Sequence, residues 1–216
     1  MSSQLPVGLP SRIYPVVDSA AWVQRLVEHG ARLIQLRVKS TDTARLRQQI
    51  RSARLACVAA GATLVVNDHW QLAIEEGASV IHLGQEDLDE ADREAIRRSG
   101  ARLGISTHSD EELERALVLA PDYVALGPVY PTTLKVMPWA PQGLDRIGEW
   151  RRRIGRLPLV AIGGITLERA AGCLEAGADC VAVVSDIVGH ADPEARMSAW
   201  VRILDDQSQN AAGTWR

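Results

Sequence analysis

Short apolar runs alternate along the chain with longer segments in which apolar residues recur every three or four positions. The runs occupy residues 12–17, 33–36, 64–66, 80–83, 103–105, 123–126, 159–162 and 181–184. Runs so short and so continuously apolar fit strands covered on both faces. The intervening periodicity predicts helices over 20–29, 43–60, 70–76, 89–98, 110–119, 144–154, 167–176 and 193–204. A second regularity punctuates the first: Gly30-Ala31, Gly61-Ala62, Gly77-Ala78, Gly100-Ala101 and Gly177-Ala178 each stand between a helical stretch and an apolar run. Glycine at that place suits a helix end closed by a left-handed residue.

Strand, helix and strand in succession form a crossover that lays the two strands parallel. Eight such pairs predict an α/β, single-domain (β/α)8 TIM barrel over residues 12–204, although the pattern by itself also allows a doubly wound open sheet. Residues 1–11 read as a polar, proline-containing lead, and the polar, small-residue stretch 205–216 as a disordered tail. One connection is long. Residues 127–143, GPVYPTTLKVMPWAPQG, carry four prolines, and a loop of that length in a compact domain tends to be functional.

Composition narrows the classes. With 216 residues, 46% of them apolar and 24% charged, the chain can bury one sizeable core. A net charge of −3 provides no basic footprint for nucleic acid. Nothing at the start resembles a signal peptide and no stretch approaches the ~20 apolar residues of a membrane span, so the expected location is cytoplasmic. Cys57, Cys173 and Cys180 lack metal-type spacing, and their odd number fits reduced packing residues. Trp22, Trp150, Trp200 and Trp215 fall on the outer helices or the tail and mark no interface.

In a parallel barrel the chemistry gathers at the carboxyl ends of the strands. The densest stretch is 64–88, where one apolar run stops at Asn67-Asp68 and the next at Gly84-Gln85-Glu86-Asp87. Asp68 and Asp87 should therefore meet. Two carboxylates with amide neighbours suit Mg²⁺, which takes one or two protein carboxylates and completes its shell with water and substrate phosphate. The plainer alternative is that each aspartate caps the helix after it. The run Gln35-Leu36-Arg37-Val38-Lys39 would turn Gln35, Arg37 and Lys39 to one side if the strand extends that far, a donor set fit for phosphate or diphosphate or else a solvated strand exit. Ser106-Thr107-His108 could bond a substrate or cap the next helix. Gly163-Gly164 after the seventh run, with Ser185 after the eighth, fits a phosphate site built from backbone N–H groups.

Tyr14-Pro15 with Asp18, the 35–39 run, Asn67-Asp68, His82-Leu83-Gly84-Gln85-Glu86-Asp87, Ser106-Thr107-His108, Gly127-Pro128-Val129-Tyr130-Pro131-Thr132, Lys135, Ala161-Ile162-Gly163-Gly164-Ile165 and Val183-Val184-Ser185 together resemble, in order, the motifs of the thiamine phosphate synthase (thiamine phosphate pyrophosphorylase) family. The resemblance implies a transferase that condenses 4-amino-2-methyl-5-(diphosphooxymethyl)pyrimidine with 4-methyl-5-(2-phosphooxyethyl)thiazole, releasing diphosphate by a dissociative, Mg-assisted substitution. It implies Asp68 and Asp87 as ligands of one Mg²⁺ per active site. The pyrimidine diphosphate would be bound by Gln35, Leu36, Arg37, Val38, Lys39, Asn67, Ser106 and Lys135. Of these, Arg37, Lys39, Lys135 and Ser106 are the catalytic candidates. The thiazole phosphate would be bound by Thr132, Thr133, Leu134, Gly164, Val184 and Ser185.

The chain departs from the family pattern in two places. Thr132-Thr133-Leu134-Lys135 stands where Thr-x-Thr-Lys is usual, and Trp139 where a small residue is expected. Two rival readings stay open: a thiazole tautomerase of the same superfamily, and a sensor of phosphorylated ligands without turnover. The expected partners are small phosphorylated molecules, with no nucleic acid or membrane, and self-association is left open.

Overall fold

The computed structural model describes residues 8–132 and 139–211. Its strands are β1 (Ile13–Val17), β2 (Leu33–Leu36), β3 (Thr63–Asn67), β4 (Val80–Leu83), β5 (Arg102–Thr107), β6 (Tyr123–Leu126), β7 (Leu159–Ile162) and β8 (Cys180–Val183). They pair in sequence order and close into a barrel, every pair parallel. The helices are α1 (Ala20–Glu28), α2 (Thr43–Ala60), α3 (Trp70–Glu75), α4 (Arg93–Ser99), α5 (Asp110–Val118), α6 (Gly143–Ile154), α7 (Leu167–Glu175), α8 (Ser185–Val188) and α9 (Pro193–Ala211). The barrel expected from the alternation is the observed fold, and the open sheet is excluded. All five glycines of the Gly-Ala repeat have positive φ, as helix ends closed by a left-handed residue require.

Some boundaries differ. The fourth helix starts at Arg93 rather than Asp89, because Asp92 is its cap and accepts from the Ala95 N–H at 2.9 Å. A short helix, α8, separates the last strand from the final helix. The backbone of α9 stays helical to Ala211, past the boundary at 205 drawn from composition.

Two apolar layers hold the structure. Between barrel and helices lies the larger one, in which Val23, Leu26, Ile50, Leu113, Ile147, Trp150, Met197 and Trp200 are fully or almost fully buried. Trp150 and Trp200 sit on outer helices as expected, but they face inward. Their indole N–H groups are satisfied there, Trp150 by Thr107 Oγ1 at 3.0 Å and Trp200 by Asp186 at 2.8 Å. The second layer consists of residues at alternate strand positions, Tyr14, Leu33, Val65, Val80, Val160 and Cys180 among them, and it fills the barrel itself. The three cysteines are free and buried. No described helix is long and apolar enough to cross a membrane.

Candidate active site

Asp68 directly follows β3, and its backbone is pinned to the neighbouring strand by its own N–H, which donates to His82 O at 2.9 Å. It has a φ of 64°, a left-handed conformation that aspartate tolerates better than most side chains. Helix α3 is capped at His69 with no side-chain cap bond, and α4 is capped by Asp92. Neither Asp68 nor Asp87 is therefore a helix cap. Instead the two carboxyl groups lie within hydrogen-bonding reach of each other, and Asp68 is pushed up to about 6 by burial first and by the charge and hydrogen bond of Asp87 next. The positive charge of Arg37 acts in the opposite sense.

Such a pair is held together only by protonation or by a cation. Two converging carboxylates, free of capping duty and disfavoured as a pair of bare anions, fit a divalent cation that needs one or two protein oxygens. Among the described residues no group of three or more His, Cys, Asp or Glu side chains gathers in metal-binding fashion, so the pair would leave most of the coordination shell to water and substrate.

Beside this pair opens a cleft of about 510 Å³ lined by Val38, Lys39, Ser40, Thr41, Asp68 and His69. Strand β2 delivers its basic edge: Arg37 N–H still bonds Val17 O at 2.7 Å, so the ladder runs one residue past the strand end. Gln35 is buried inside the barrel, whereas the side chain of Leu36 joins the outer apolar layer. Alternation along the strand thus leaves Leu36 its backbone, rather than its side chain, to face a ligand. Asn67 is buried at the end of β3 and Ser106 is half-buried near the end of β5.

A second cleft, about 300 Å³, is lined by Pro131, Thr132, Gly164, Ile165, Thr166, Arg169, Ser185 and Asp186. Close packing forms its wall. A Cβ on Gly164 would fall 2.4 Å from Pro131 O, so only glycine lets the β7 loop touch the β6 loop here. Tyr130 N–H donates to Gly163 O at 3.0 Å, and Arg169 lies over the Tyr130 ring while donating to Gly164 O at 2.7 Å. Asp186 turns away to Arg196, which holds it through two nitrogens at 2.8 and 2.9 Å. Val184 is the residue before α8 and packs on the barrel interior.

Thr133, Leu134 and Lys135 lie outside the described residues. At the far end of the same loop Trp139 stacks on His108, with centroids 5.9 Å apart and planes 9° from parallel. Gln142 adds a bond to His108 O at 2.6 Å, and the His108 ring is held by Glu112 at 2.8 Å. His108 therefore positions loop residues.

Sequence reasoning missed one feature entirely. A chain of hydrogen bonds crosses the barrel interior from Gln35 Nε2 to Tyr14 Oη at 2.8 Å, on to Tyr123 Oη at 3.0 Å, to His82 Nδ1 at 2.8 Å, and from His82 Nε2 to Ser106 Oγ at 2.8 Å. His82 is held neutral, its pKa lowered to about 4 by burial and then by the charges of Arg37 and His108. The only signal in the sequence was indirect: Gly104 pairs with both His82 and Tyr123, and a glycine inside a strand often marks a close approach.

A family model described as thiamine monophosphate synthase matches residues 12–187. The chain is 60% identical over 188 residues to a thiamine-phosphate synthase of Rhizobium etli, covering 87% of this chain and 92% of that protein. It is 46% identical over 201 residues to a thiamine-phosphate synthase of Neisseria meningitidis, covering 93% and 98% respectively. Among solved structures, a thiamine phosphate pyrophosphorylase from Pyrococcus furiosus superposes with a TM-score of 0.80 at 26% identity, over 90% of this chain and 96% of that one. On these matches the chain belongs to the thiamine monophosphate synthase family.

Proposed function

We propose that the protein is a thiamine phosphate synthase, joining 4-amino-2-methyl-5-(diphosphooxymethyl)pyrimidine to 4-methyl-5-(2-phosphooxyethyl)thiazole with loss of diphosphate. The observation that carries this reading is the Asp68–Asp87 carboxylate pair at the barrel mouth, freed from helix capping and set beside the basic end of β2. A diphosphate leaving group needs that combination, and an isomerase has little use for it. The second cleft, with Gly164, Ser185 and Thr132 in its wall, suits the thiazole phosphate.

In this reading Arg37 and Lys39, joined by Lys135 from the β6 loop, attract the negative charge that grows on the departing diphosphate. Mg²⁺ held by Asp68 and Asp87 would supply further neutralisation of that charge. Asn67 and Gln35 orient the pyrimidine from inside the barrel, and Ser106 bonds it from β5. As the bond from the pyrimidine methylene to diphosphate breaks, the methylene becomes cationic and the thiazole nitrogen attacks with its lone pair. That nitrogen carries no proton, so no side chain has to act as general base. Arg169 adds a cation to the thiazole cleft that the motif comparison did not include. Free, buried cysteines agree with a reducing compartment, and we place the reaction in the cytoplasm.

Diphosphate release tests the proposal. Purified protein with Mg²⁺ and both substrates should release one diphosphate per thiamine phosphate formed. Accelerated thiazole tautomerisation without diphosphate would establish the isomerase instead, and binding of both substrates without turnover would establish the sensor.

A further inference from the structure

The chain of hydrogen bonds inside the barrel has a direction. A neutral imidazole carries one N–H and one bare nitrogen, so His82 donates through one ring atom and accepts through the other. Gln35 presents its amide nitrogen to Tyr14 Oη, and that nitrogen can only donate. Each phenol is buried and its own proton needs an acceptor: besides the donating amide, Tyr14 Oη has Tyr123 Oη within reach, so Tyr14 donates to Tyr123, and Tyr123 donates in turn to His82 Nδ1. His82 must then carry its proton on Nε2 and donate to Ser106 Oγ. Two things are left for a ligand: the amide oxygen of Gln35, which is an acceptor, and the hydrogen of the Ser106 hydroxyl, which is a donor.

We propose that Tyr14, Tyr123 and His82 form a one-directional relay that fixes Gln35 as acceptor and Ser106 as donor, and so select a pyrimidine bearing an exocyclic amine over one bearing a carbonyl at that position. They act through Gln35 and Ser106 and are positioning residues. The setting makes the direction costly to reverse. Tyr14 and Tyr123 are 1% and 2% exposed, and His82 is 5% exposed, so no solvent is at hand to satisfy a group turned the wrong way. Burial also holds both phenols well above the usual tyrosine range, so they stay protonated and able to donate. Reversal would turn the Gln35 amide and the Ser106 hydroxyl together, since each link dictates the next. An amine on the ligand meets the acceptor that this direction presents, whereas a carbonyl would set acceptor against acceptor. The choice of ligand rests on the synthase reading above, while the direction of the relay does not.

Two measurements on the full chain test the relay and keep it separate from the synthase reading. The first is a long-range proton–nitrogen spectrum of ¹⁵N-histidine protein at pH 7, with the His82 signals assigned by their loss in His82→Gln. It should show Nε2 protonated and Nδ1 bare in the wild type, and a mixture of tautomers in Tyr123→Phe. The second compares binding of the aminopyrimidine diphosphate with its 4-oxo analogue by calorimetry, which needs no turnover. The wild type should prefer the amine by at least about tenfold. Tyr123→Phe should bring that ratio towards one while the KM for the thiazole phosphate stays as it is. A wild-type His82 protonated on Nδ1 overturns the relay, and so does a Tyr123→Phe protein that keeps both the single tautomer and the full preference. Absence of diphosphate release, with the expected tautomer present, would sink the synthase reading and leave the relay standing.

Discussion

The ring of Tyr123 occupies the space that a side chain on Gly104 would need: a Cβ built on Gly104 falls 2.0 Å from the ring. The two residues are partners across β5 and β6, and His82 is Gly104's partner on the other side. The missing Cβ lets the Tyr123 and His82 rings meet with centroids 5.5 Å apart and planes 23° from parallel. Gly104→Ala should therefore act by overpacking, costing roughly 1–3 kcal/mol and lowering Tm by ~2–4 °C per kcal/mol for a chain of this size. Thermal unfolding checks it. An unchanged Tm would mean that the ring has room to move aside.

Asp68 and Asp87 allow a sharper test because they cap no helix. Asp68→Asn and Asp87→Asn keep side-chain size but remove one charge of the pair. Each should raise the Mg²⁺ concentration for half activity and lower turnover at least about tenfold, equivalent to about 1.4 kcal/mol of transition-state stabilisation. Tm without ligand should hold or rise as the repulsion is relieved. Wild-type Mg²⁺ dependence and rate in both variants would remove the metal site from the mechanism.

His82 and Asp68 shape the response to acid in opposite senses. His82 is held down to about 4 from an ordinary 6.5, so between those values the unfolded chain binds a proton that the native protein refuses, and stability falls as pH drops through that window. Asp68, raised to about 6 from 3.8, does the reverse: the native state takes the proton first, and stability gained at low pH is lost as pH rises through about 6. The two effects oppose each other in the wild type. Asp68→Asn keeps only the histidine effect, so its Tm should fall more steeply than the wild type's between pH 6.5 and 4.5. Parallel Tm profiles for the two proteins would contradict this assignment.

Thr107 joins two layers of the fold. Its hydroxyl donates to Ala125 O at 3.0 Å and accepts the Trp150 indole N–H at 3.0 Å, all fully or nearly fully buried. Thr107→Val preserves the shape and leaves the indole N–H without its partner, at a cost of about 1–3 kcal/mol. Chemical denaturation should show a lower midpoint with an unchanged slope. Full stability would mean that Trp150 finds another acceptor.

The barrel was legible in the sequence because its determinants are local. Each strand is short and apolar on both faces, and a glycine with positive φ marks the end of five helical stretches. Asp68 and Asp87 were legible as a converging pair for a similar reason, since parallel strands place the residues after β3 and β4 at the same end. What those carboxylates do was not legible, because Asp before a helix is also a cap. Only the structure shows the caps one residue on, at His69, and five residues on, at Asp92. The outward turn of Leu36 and the inward turn of Trp150 and Trp200 depend likewise on which face of an element meets the sheet. Furthest from the sequence was the relay through Tyr14, Tyr123 and His82. Its members come from strands far apart in the chain, and their rings meet only when the barrel closes and Gly104 leaves the space between them open.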